Sequence, residues 1–345
     1  MARMQPPPPP AVQLLQLITG SWVAHAVAVA ARLQLADHVA GGPRTVATLA
    51  EQTQCHPDSL RRLLRALASV GLFAETAPGE FGPTPMSEAL RTADSGSMRA
   101  MALFTDEACH RTAWQNLEHS VRTGATAFRH VHGQGFFEYC QKHPSTGAIF
   151  DQAMSSFAAV THAALVKAYD FAPFTDVVDV GGGHGSLLAA ILRANPHLRG
   201  ILFDQPHVVD GARRQPFLTG DLAPRCRLEA GNFFESAPVG GQVYLMKNII
   251  HDWSDDHSRR ILQQIRQVIP TNGRVLLAEH VIRPGNDPDF GKILDLEMLV
   301  MTDGGRERTA DDFANLFASA GFKMTRVIPT EAPLSWIEGE PASRA

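Results

Sequence analysis

The residues best suited to chemistry stand in the run Val177-Val178-Asp179-Val180-Gly181-Gly182-Gly183-His184-Gly185-Ser186-Leu187-Leu188, where a β-rich segment passes through glycines into a helical one. A strand, loop and helix of this kind place a ligand at the carboxyl edge of a sheet. The spacing is G-G-G-x-G, not the G-x-G-x-x-G of a dinucleotide site, and Asp179 precedes the glycines where it would repel a pyrophosphate. Gly181, Gly183 and Gly185 let backbone approach a ligand. A carboxylate beside them suits a zwitterionic amino-acid moiety near a positive centre, as in S-adenosylmethionine; a mere tight turn is the plainer alternative. Asp204 ends the next β-rich run 23 positions after Gly181, where a carboxylate can accept both ribose hydroxyls or simply serve the turn before Pro206. After a third β-rich run, Phe233 could stack on an adenine and Asn232 could accept from its exocyclic amine, with core packing the alternative for Phe233.

Using the methyl of such a sulfonium requires an acceptor oxygen aligned with it and removal of the acceptor's proton. His251 lies just past the β-rich run Gln242 to Met246, so it belongs to the same carboxyl edge as the glycine loop. With an unperturbed pKa of ~6.5, its imidazole would be largely neutral at cellular pH and could take a phenolic or enolic proton. Glu279, ending the next β-rich run, is the best candidate for a carboxylate that fixes the imidazole tautomer. Glu307, between Arg306 and Arg308, could instead make only a surface ion pair. Asp252 could orient substrate or cap the helix that begins near Ser254, and Lys247 adds a cation to the same strand ends.

These groups need a scaffold, and the alternation of β-rich and helical runs after Tyr169 predicts βαβ units and a parallel sheet. Its strands are expected at Asp176 to Val180, Gly200 to Phe203, Gln242 to Met246, Arg274 to Glu279 and Phe322 to Ile328, with Leu334 to Ile337 as an antiparallel edge. The half before it is helical. Thr45 can cap a helix over Val46 to Gln52, and Pro57 starts another with Leu60, Leu63, Leu64, Leu67 and Val70 as one stripe. A hairpin around Pro78-Gly79 completes a winged helix. Arg61, Arg62 and Arg65 lie off the stripe and could touch phosphates. Asp58, Glu51 and a net charge of −4, from 31 basic and 35 acidic residues, argue instead for a scaffold or dimerisation role and against nucleic acid.

A length of 345 residues with 44% apolar and 19% charged residues fits two globular domains. We divide the chain into a disordered Pro-rich tail (1–11), a helical winged-helix domain (12–110), linking helices that contribute to the substrate pocket (111–170), and a Rossmann-like domain (171–345). Four scattered cysteines without a C-x-x-C pair fit a reducing cytoplasm and neither a zinc ribbon nor a disulfide framework. The most apolar stretch, Trp22 to Ala31, is ten residues against the ~20 of a membrane span, and no export signal is credible, so no membrane association is expected.

Four motifs in order, Val178 to Gly185, Phe203-Asp204-Gln205-Pro206-His207-Val208-Val209, Met246 to Asp255 and Gly304-Gly305-Arg306-Glu307-Arg308-Thr309, carry a resemblance to a known family. The sequence resembles the class I S-adenosylmethionine-dependent small-molecule O-methyltransferases of the caffeic acid and acetylserotonin type, bacterial natural-product tailoring enzymes included, from about Val12 to the C-terminus. The resemblance implies an α/β fold: a Rossmann-like methyltransferase domain preceded by a mostly helical winged-helix domain that intertwines two subunits. It implies a metal-independent reaction on a hydroxylated small molecule, with S-adenosylhomocysteine as product. In the family pattern His251 is the general base, Glu279 and Glu307 flank it, and Lys247 contacts the cofactor. Met154, Phe157, Trp253, Met298 and Met301 would then stand near the acceptor as apolar walls, though each could equally be core. Family members usually have Asp where this chain has Asn232, which implies weaker cofactor binding there. Hydroxylation, pericyclic chemistry and N- or C-methylation are known alternatives, and a DNA-binding regulator is a more distant one. Retention of His251, Glu279 and Glu307 favours methylation of oxygen.

Overall fold

The computed structural model describes residues 8–92, 96–215 and 217–343, with their side chains except those of 157–160. Two units divide the chain: one comprises the residues up to Arg111 together with Cys140–Phe157, the other Thr112–Tyr139 together with the chain from Ala158 onward. The chain passes from the first to the second twice, within helix Ala108–Gln115 and again within helix Pro144–Ala168.

Pro10 opens helix α1 (Pro10–Ile18), where a residue without an N–H and with φ fixed near −65° suits the first turn. Pro10 and Ala11 are therefore helical and not part of an extended tail, and the first seven residues lie outside the described ones. Helix α2 (Gly20–Arg32) follows after Thr19, and buries Ala28, Ala30 and Ala31. Together, Pro10–Arg32 form an apolar stretch of 23 residues with mean hydropathy 1.6, long and apolar enough to cross a membrane by length and composition. The ten-residue reading of this stretch is thus corrected: Gln13, Gln16, Thr19 and His25 interrupt the apolar run without bringing its average down. Only 17% of its most apolar window is buried, and Leu17 and Trp22 are 79% and 71% exposed.

Thr45 accepts a hydrogen bond from the Thr48 N–H at 3.2 Å and starts helix α3 (Val46–Thr53), while Pro57 starts α4 (Pro57–Ser69). α4 buries Leu60, Leu64 and Leu67, leaves Arg61, Arg62 and Arg65 exposed, and ends before Gly71 at φ +82°. Strands Ala74–Ala77 and Glu80–Gly82 form the expected wing, to which Arg44–Thr45 adds a third strand. Leu35, Val39, Leu49, Leu64, Phe73 and Phe81 make the core of this unit.

The second unit is built on a seven-stranded sheet of β1 (Asp176–Val180), β2 (Arg199–Asp204), β3 (Cys226–Ala230), β4 (Val243–Lys247), β5 (Arg274–Glu279), β6 (Phe322–Pro329) and β7 (Ser335–Pro341). Their order is β6-β7-β5-β4-β1-β2-β3, with β1 to β5 parallel and β7 antiparallel to both neighbours. Period-2 alternation feeds two cores. Val177, Leu245, Leu276 and Trp336 face one, while Val178, Tyr244, Leu277 and Ile337 face the other. Helix α5 (Ser186–Ala194) packs on the first; α6 (Asp255–Val268) and α7 (Ala310–Ser319) pack on the second. Complete burial of Ile261, Leu262 and Ile265 on α6 contributes ~1.5–3 kcal/mol each.

The last strand differs from expectation in position: it is antiparallel but inserts between β6 and β5, leaving β6 at the edge. Trp336 and Ile337, both at 0% exposure and on opposite faces, are what an interior strand requires. Winding reverses at β1, which has β2 on one side and β4 on the other. A crevice opens outside the carboxyl ends of such a pair, and that is where the glycine loop lies.

Candidate active site

β1 delivers the chain to Gly181, whose N–H donates to the Phe203 carbonyl at 2.8 Å, and Gly181, Gly183 and Gly185 all have positive φ. Side chains there would collide: a Cβ on Gly181 would stand 2.6 Å from Ile249 Cδ1, and one on Gly182 would stand 2.6 Å from the Asp179 carboxylate. The open space is at Gly183, where a Cβ would meet nothing within 4 Å. Asp179 is buried with its Oδ2 unpartnered, and burial, then the charge of Asp204, pushes its carboxyl up to about 7. Asp204 accepts from the N–H groups of Gly183 (2.9 Å) and Gln205 (2.7 Å), which restrain a rise in its pKa caused by burial. Phe233 is 3.7 Å from the Gly181 Cβ position and packs edge-on to Phe234 and Trp253. Asn232 is exposed; its carbonyl takes the Phe234 N–H at 3.0 Å and its amide donates to Glu235 at 2.9 Å.

Lys247, the last residue of β4, is lowered by burial against the opposing charges of Glu279 and Asp179. The next residue, Asn248, takes φ +51°, and the chain then turns through Ile249 into a short helical turn, Ile250–Asp252, that carries His251. Four ionisable groups meet there. His251 Nδ1 is 2.7 Å from Glu307 Oε1 and 3.9 Å from Glu279 Oε2, and its Nε2 is 3.6 Å from Asp252 Oδ1. Burial, the largest single influence, pulls the imidazole down, but Glu279, Asp252 and Glu307 outweigh it and raise it to about 10. Burial also raises Glu279 and Asp252, opposed by the charge of His251. The unperturbed histidine expected from sequence is therefore replaced by one whose neighbouring carboxylates favour its protonated form.

The partner of His251 also differs from expectation. Glu307 makes the hydrogen bond to Nδ1, whereas Glu279 spends Oε1 on the N–H groups of Ile249 (3.1 Å) and Ile250 (2.9 Å), fixing the turn that bears His251. Glu307 is 2% exposed and makes no surface ion pair; it is Arg308, 1% exposed, that pairs with Asp255 at 2.7 Å. Arg308 also donates to the carbonyls of Ile250 (3.0 Å) and Trp253 (2.9 Å), a role its sequence position beside Glu307 does not signal. Ser254, not Asp252, caps α6 by accepting from the His257 N–H. Glu307 N–H donates to Asp295 Oδ1 at 2.8 Å, and the Arg306 N–H to the His251 carbonyl at 2.8 Å.

Among the described residues, the buried side-chain atoms lacking a partner include Asp179 Oδ2, Asn248 Oδ1, Glu279 Oε2, His280 Nε2 and Glu307 Oε2. All five stand at the carboxyl ends of β1, β4 and β5 or in the loop that reaches them. Unpaired buried polar atoms cost ~1–3 kcal/mol each, so their concentration marks a place where a polar ligand belongs. His251, Glu279 and Glu307 also offer ligand atoms within 4.8 Å of one another, close enough to hold a metal ion. Met298 and Met301 are buried on the helix Phe290–Met301, and Trp253 is half-buried beside Phe137, Phe233 and Phe234. Met154 is half-buried in the first unit, and the side chain of Phe157 lies outside the described residues.

Known proteins match the chain along nearly its whole length. An O-methyltransferase domain family matches residues 114–323, and an O-methyltransferase dimerisation domain family matches residues 15–93. The chain is 44% identical to the phenazine O-methyltransferase PhzM of Lysobacter antibioticus over 95% of both chains. It is 38% identical to a mitomycin biosynthesis 6-O-methyltransferase of Streptomyces lavendulae, covering 92% of this chain and 90% of that one. Among solved structures, human N-acetylserotonin methyltransferase in complex with S-adenosylmethionine superposes with a TM-score of 0.89 at 25% identity, covering 99% of this chain and all of that one.

Proposed function

This chain belongs to the O-methyltransferase family, catalytic and dimerisation domains alike, and on that premise we propose that it moves the methyl group of S-adenosylmethionine onto a phenolic or enolic hydroxyl of a small aromatic or polyketide-like secondary metabolite, with His251 as general base. The observation that carries the assignment of the base is the 2.7 Å hydrogen bond between His251 Nδ1 and the buried Glu307 carboxylate. It commits Nδ1 and leaves Nε2 as the nitrogen that receives the acceptor's proton.

The residues of the crevice fit the cofactor. When bound, it supplies a methyl group already activated by a positively charged sulfur. Asp179, with an unpartnered oxygen, accepts from the ammonium of its amino-acid end, and the glycines admit that end to the backbone. Asp204 takes the ribose hydroxyls and Phe233 stacks on the adenine, while Lys247 balances the negative charge of Asp179 and Glu279. Asn232 already spends its carbonyl on Phe234, so it contributes little more than a second, weaker acceptor.

Raised to about 10, His251 is a base whose strength matches that of a simple phenol, near ~10. Proton transfer from acceptor oxygen to Nε2 is then close to level, and Glu307 and Glu279 stabilise the imidazolium that forms. A small fraction of His251 is basic at neutral pH, so the rate rises with pH toward about 10. Methionines 298 and 301 and Trp253 supply apolar surface for a flat ring. The subunits pair as a homodimer through the N-terminal domain, whose helices α1 and α2 expose Leu14, Leu15, Leu17, Ile18 and Trp22. Four scattered cysteines without a C-x-x-C pair support a cytoplasmic setting.

The test is calorimetric titration with S-adenosylmethionine and S-adenosylhomocysteine, then a labelled-methyl screen over phenolic, enolic and amine acceptors with chelator present. The expected result is saturable binding and chelator-insensitive transfer to oxygen that His251→Ala abolishes while still binding cofactor. Wild-type rates in His251→Ala, or transfer that requires a restored metal ion, would refute the assignment.

A further inference from the structure

Glu307 acts on His251 from a segment, Thr302 to Thr309, that contains two consecutive glycines. Gly304 has φ +87°, and Gly305 lies so close to the turn below it that a Cβ there would stand 2.5 Å from the His251 carbonyl oxygen. Glycines give the backbone its greatest freedom, so this segment depends on ties at its ends as well as on the hydrogen bonds of the Arg306 N–H to the His251 carbonyl and of the Glu307 N–H to Asp295 within it. After Glu307 the tie is Arg308, which grips Asp255 and the carbonyls of Ile250 and Trp253. Before the glycines the tie is Asp303. Its Oδ1 accepts from Arg129 Nε at 3.0 Å and lies 3.0 Å from Thr126 Oγ1, and its Oδ2 accepts from Arg129 Nη2. Thr126 Oγ1 is also 2.8 Å from the Thr302 carbonyl oxygen. These partners are more than 170 residues apart in sequence, and the hydrogen bonds are bidentate, the arginine–carboxylate geometry with most directional control.

We propose that Arg129, assisted by Thr126 and acting through Asp303, is a positioning residue for methyl transfer: it fixes the entry of the Gly304-Gly305 segment and thereby the Glu307–His251 hydrogen bond. The inference rests on the assignment of His251 as base. Arg129 touches neither His251 nor Glu307. Its side chain is half-exposed, as is that of Asp303, and both line a surface cavity of about 380 Å³ with His119, Thr126, His130 and Gly304. Water can therefore replace a truncated Arg129 without opening the core, which separates loss of positioning from loss of folding.

The experiment compares Arg129→Ala, Arg129→Lys and Asp303→Asn with the wild-type enzyme. Misplacement of a catalytic group by ~1 Å can cost ~100-fold, and a loosened rather than displaced segment is expected to lower kcat about 5- to 20-fold, with KM for S-adenosylmethionine within about twofold. The pH–rate limb should move to lower pH, because an ill-held Glu307 supports the imidazolium less. Arg129→Lys should recover part of the loss, and Arg129→Ala combined with Asp303→Asn should be no slower than Arg129→Ala alone. A second readout does not need turnover: the proton shared between His251 Nδ1 and Glu307, followed by NMR, is expected to be protected from exchange in the wild type and to lose that protection in Arg129→Ala at unchanged thermal midpoint. If wild-type protein methylates nothing, the functional assignment fails while this resonance still tests the tie. A wild-type kcat and pH limb in Arg129→Ala, or an Nδ1 proton protected as in wild type, would overturn the proposal.

Discussion

Glu307→Gln separates the charge of the residue that holds His251 from its shape. Glu307 Oε1 is 2.7 Å from Nδ1, whereas Glu279 approaches no nearer than 3.9 Å and Asp252 stands 3.6 Å from the other nitrogen. A hydrogen bond to a charged group contributes about 1.5–3 kcal/mol, of which a neutral glutamine acceptor retains about 1. The imidazolium therefore loses about 0.5–2 kcal/mol, which at about 1.4 kcal/mol per unit lowers the His251 pKa by roughly one unit from its raised position near 10. The same loss bounds the fall in limiting rate at about 2- to 30-fold. The two effects oppose each other at neutral pH. A lower pKa puts more His251 in its basic form, so the variant should be close to wild type near pH 7 and fall behind above about pH 9. The assay is kcat against pH with labelled cofactor and saturating acceptor. A uniform loss with the limb unmoved, or no loss at any pH, would refute the reasoning that Glu307 sets the base strength of His251.

The remaining predictions concern the cofactor cradle and the fold. Gly181→Ala places a Cβ 2.6 Å from Ile249 Cδ1 at φ +71°, a conformation that costs an L-residue about 1–2 kcal/mol, so the Kd for S-adenosylmethionine should rise about tenfold or more by calorimetry; an unchanged Kd would remove the glycine loop from the site. His162 is lowered to about 4, first by burial and then by the charge of Lys247, and is 8% exposed. A depressed histidine stabilises the fold fully above its unfolded pKa of about 6.5, and this is lost as pH falls through about 4, a swing of about 3 kcal/mol. His162→Leu should accordingly flatten the fall in thermal midpoint between about pH 7 and pH 4, and a slope identical to wild type would contradict it.

Local signals in the sequence located the cradle because its parts are contiguous: Asp179, the glycines and the start of α5 lie within one strand, loop and helix. The parallel strands were legible for the same reason, since Val177-Val178 or Leu276-Leu277 must be apolar on both faces. What escaped depends on long-range pairing. Nothing between Arg306 and Arg308 says that Glu307 is buried against His251 while Arg308 is buried against Asp255; either charge could have been the solvated one. The raised pKa of His251 needs three carboxylates from separate segments, and the tie between Arg129 and Asp303 joins a helix to a loop far along the chain. β7 is inserted between β6 and β5 although its sequence reads as an edge strand, because apolar content alone does not distinguish the two. Single polar residues such as Gln13 and His25 break the apolar run in the sequence but not its average over a helix, so Trp22 to Ala31 understates the apolar length of Pro10–Arg32.

The outward apolar face of α1 and α2 has a consequence for how this protein can be handled. Leu14, Leu15, Leu17, Ile18 and Trp22 are exposed in a single subunit, and a subunit that hides them only against its twin is governed by mass action. Its melting temperature then depends on how concentrated the sample is. An assay run at nanomolar enzyme compares a different equilibrium from one run at micromolar enzyme, and a loss of activity on dilution reports the dissociation constant of the pair before it says anything of the chemistry.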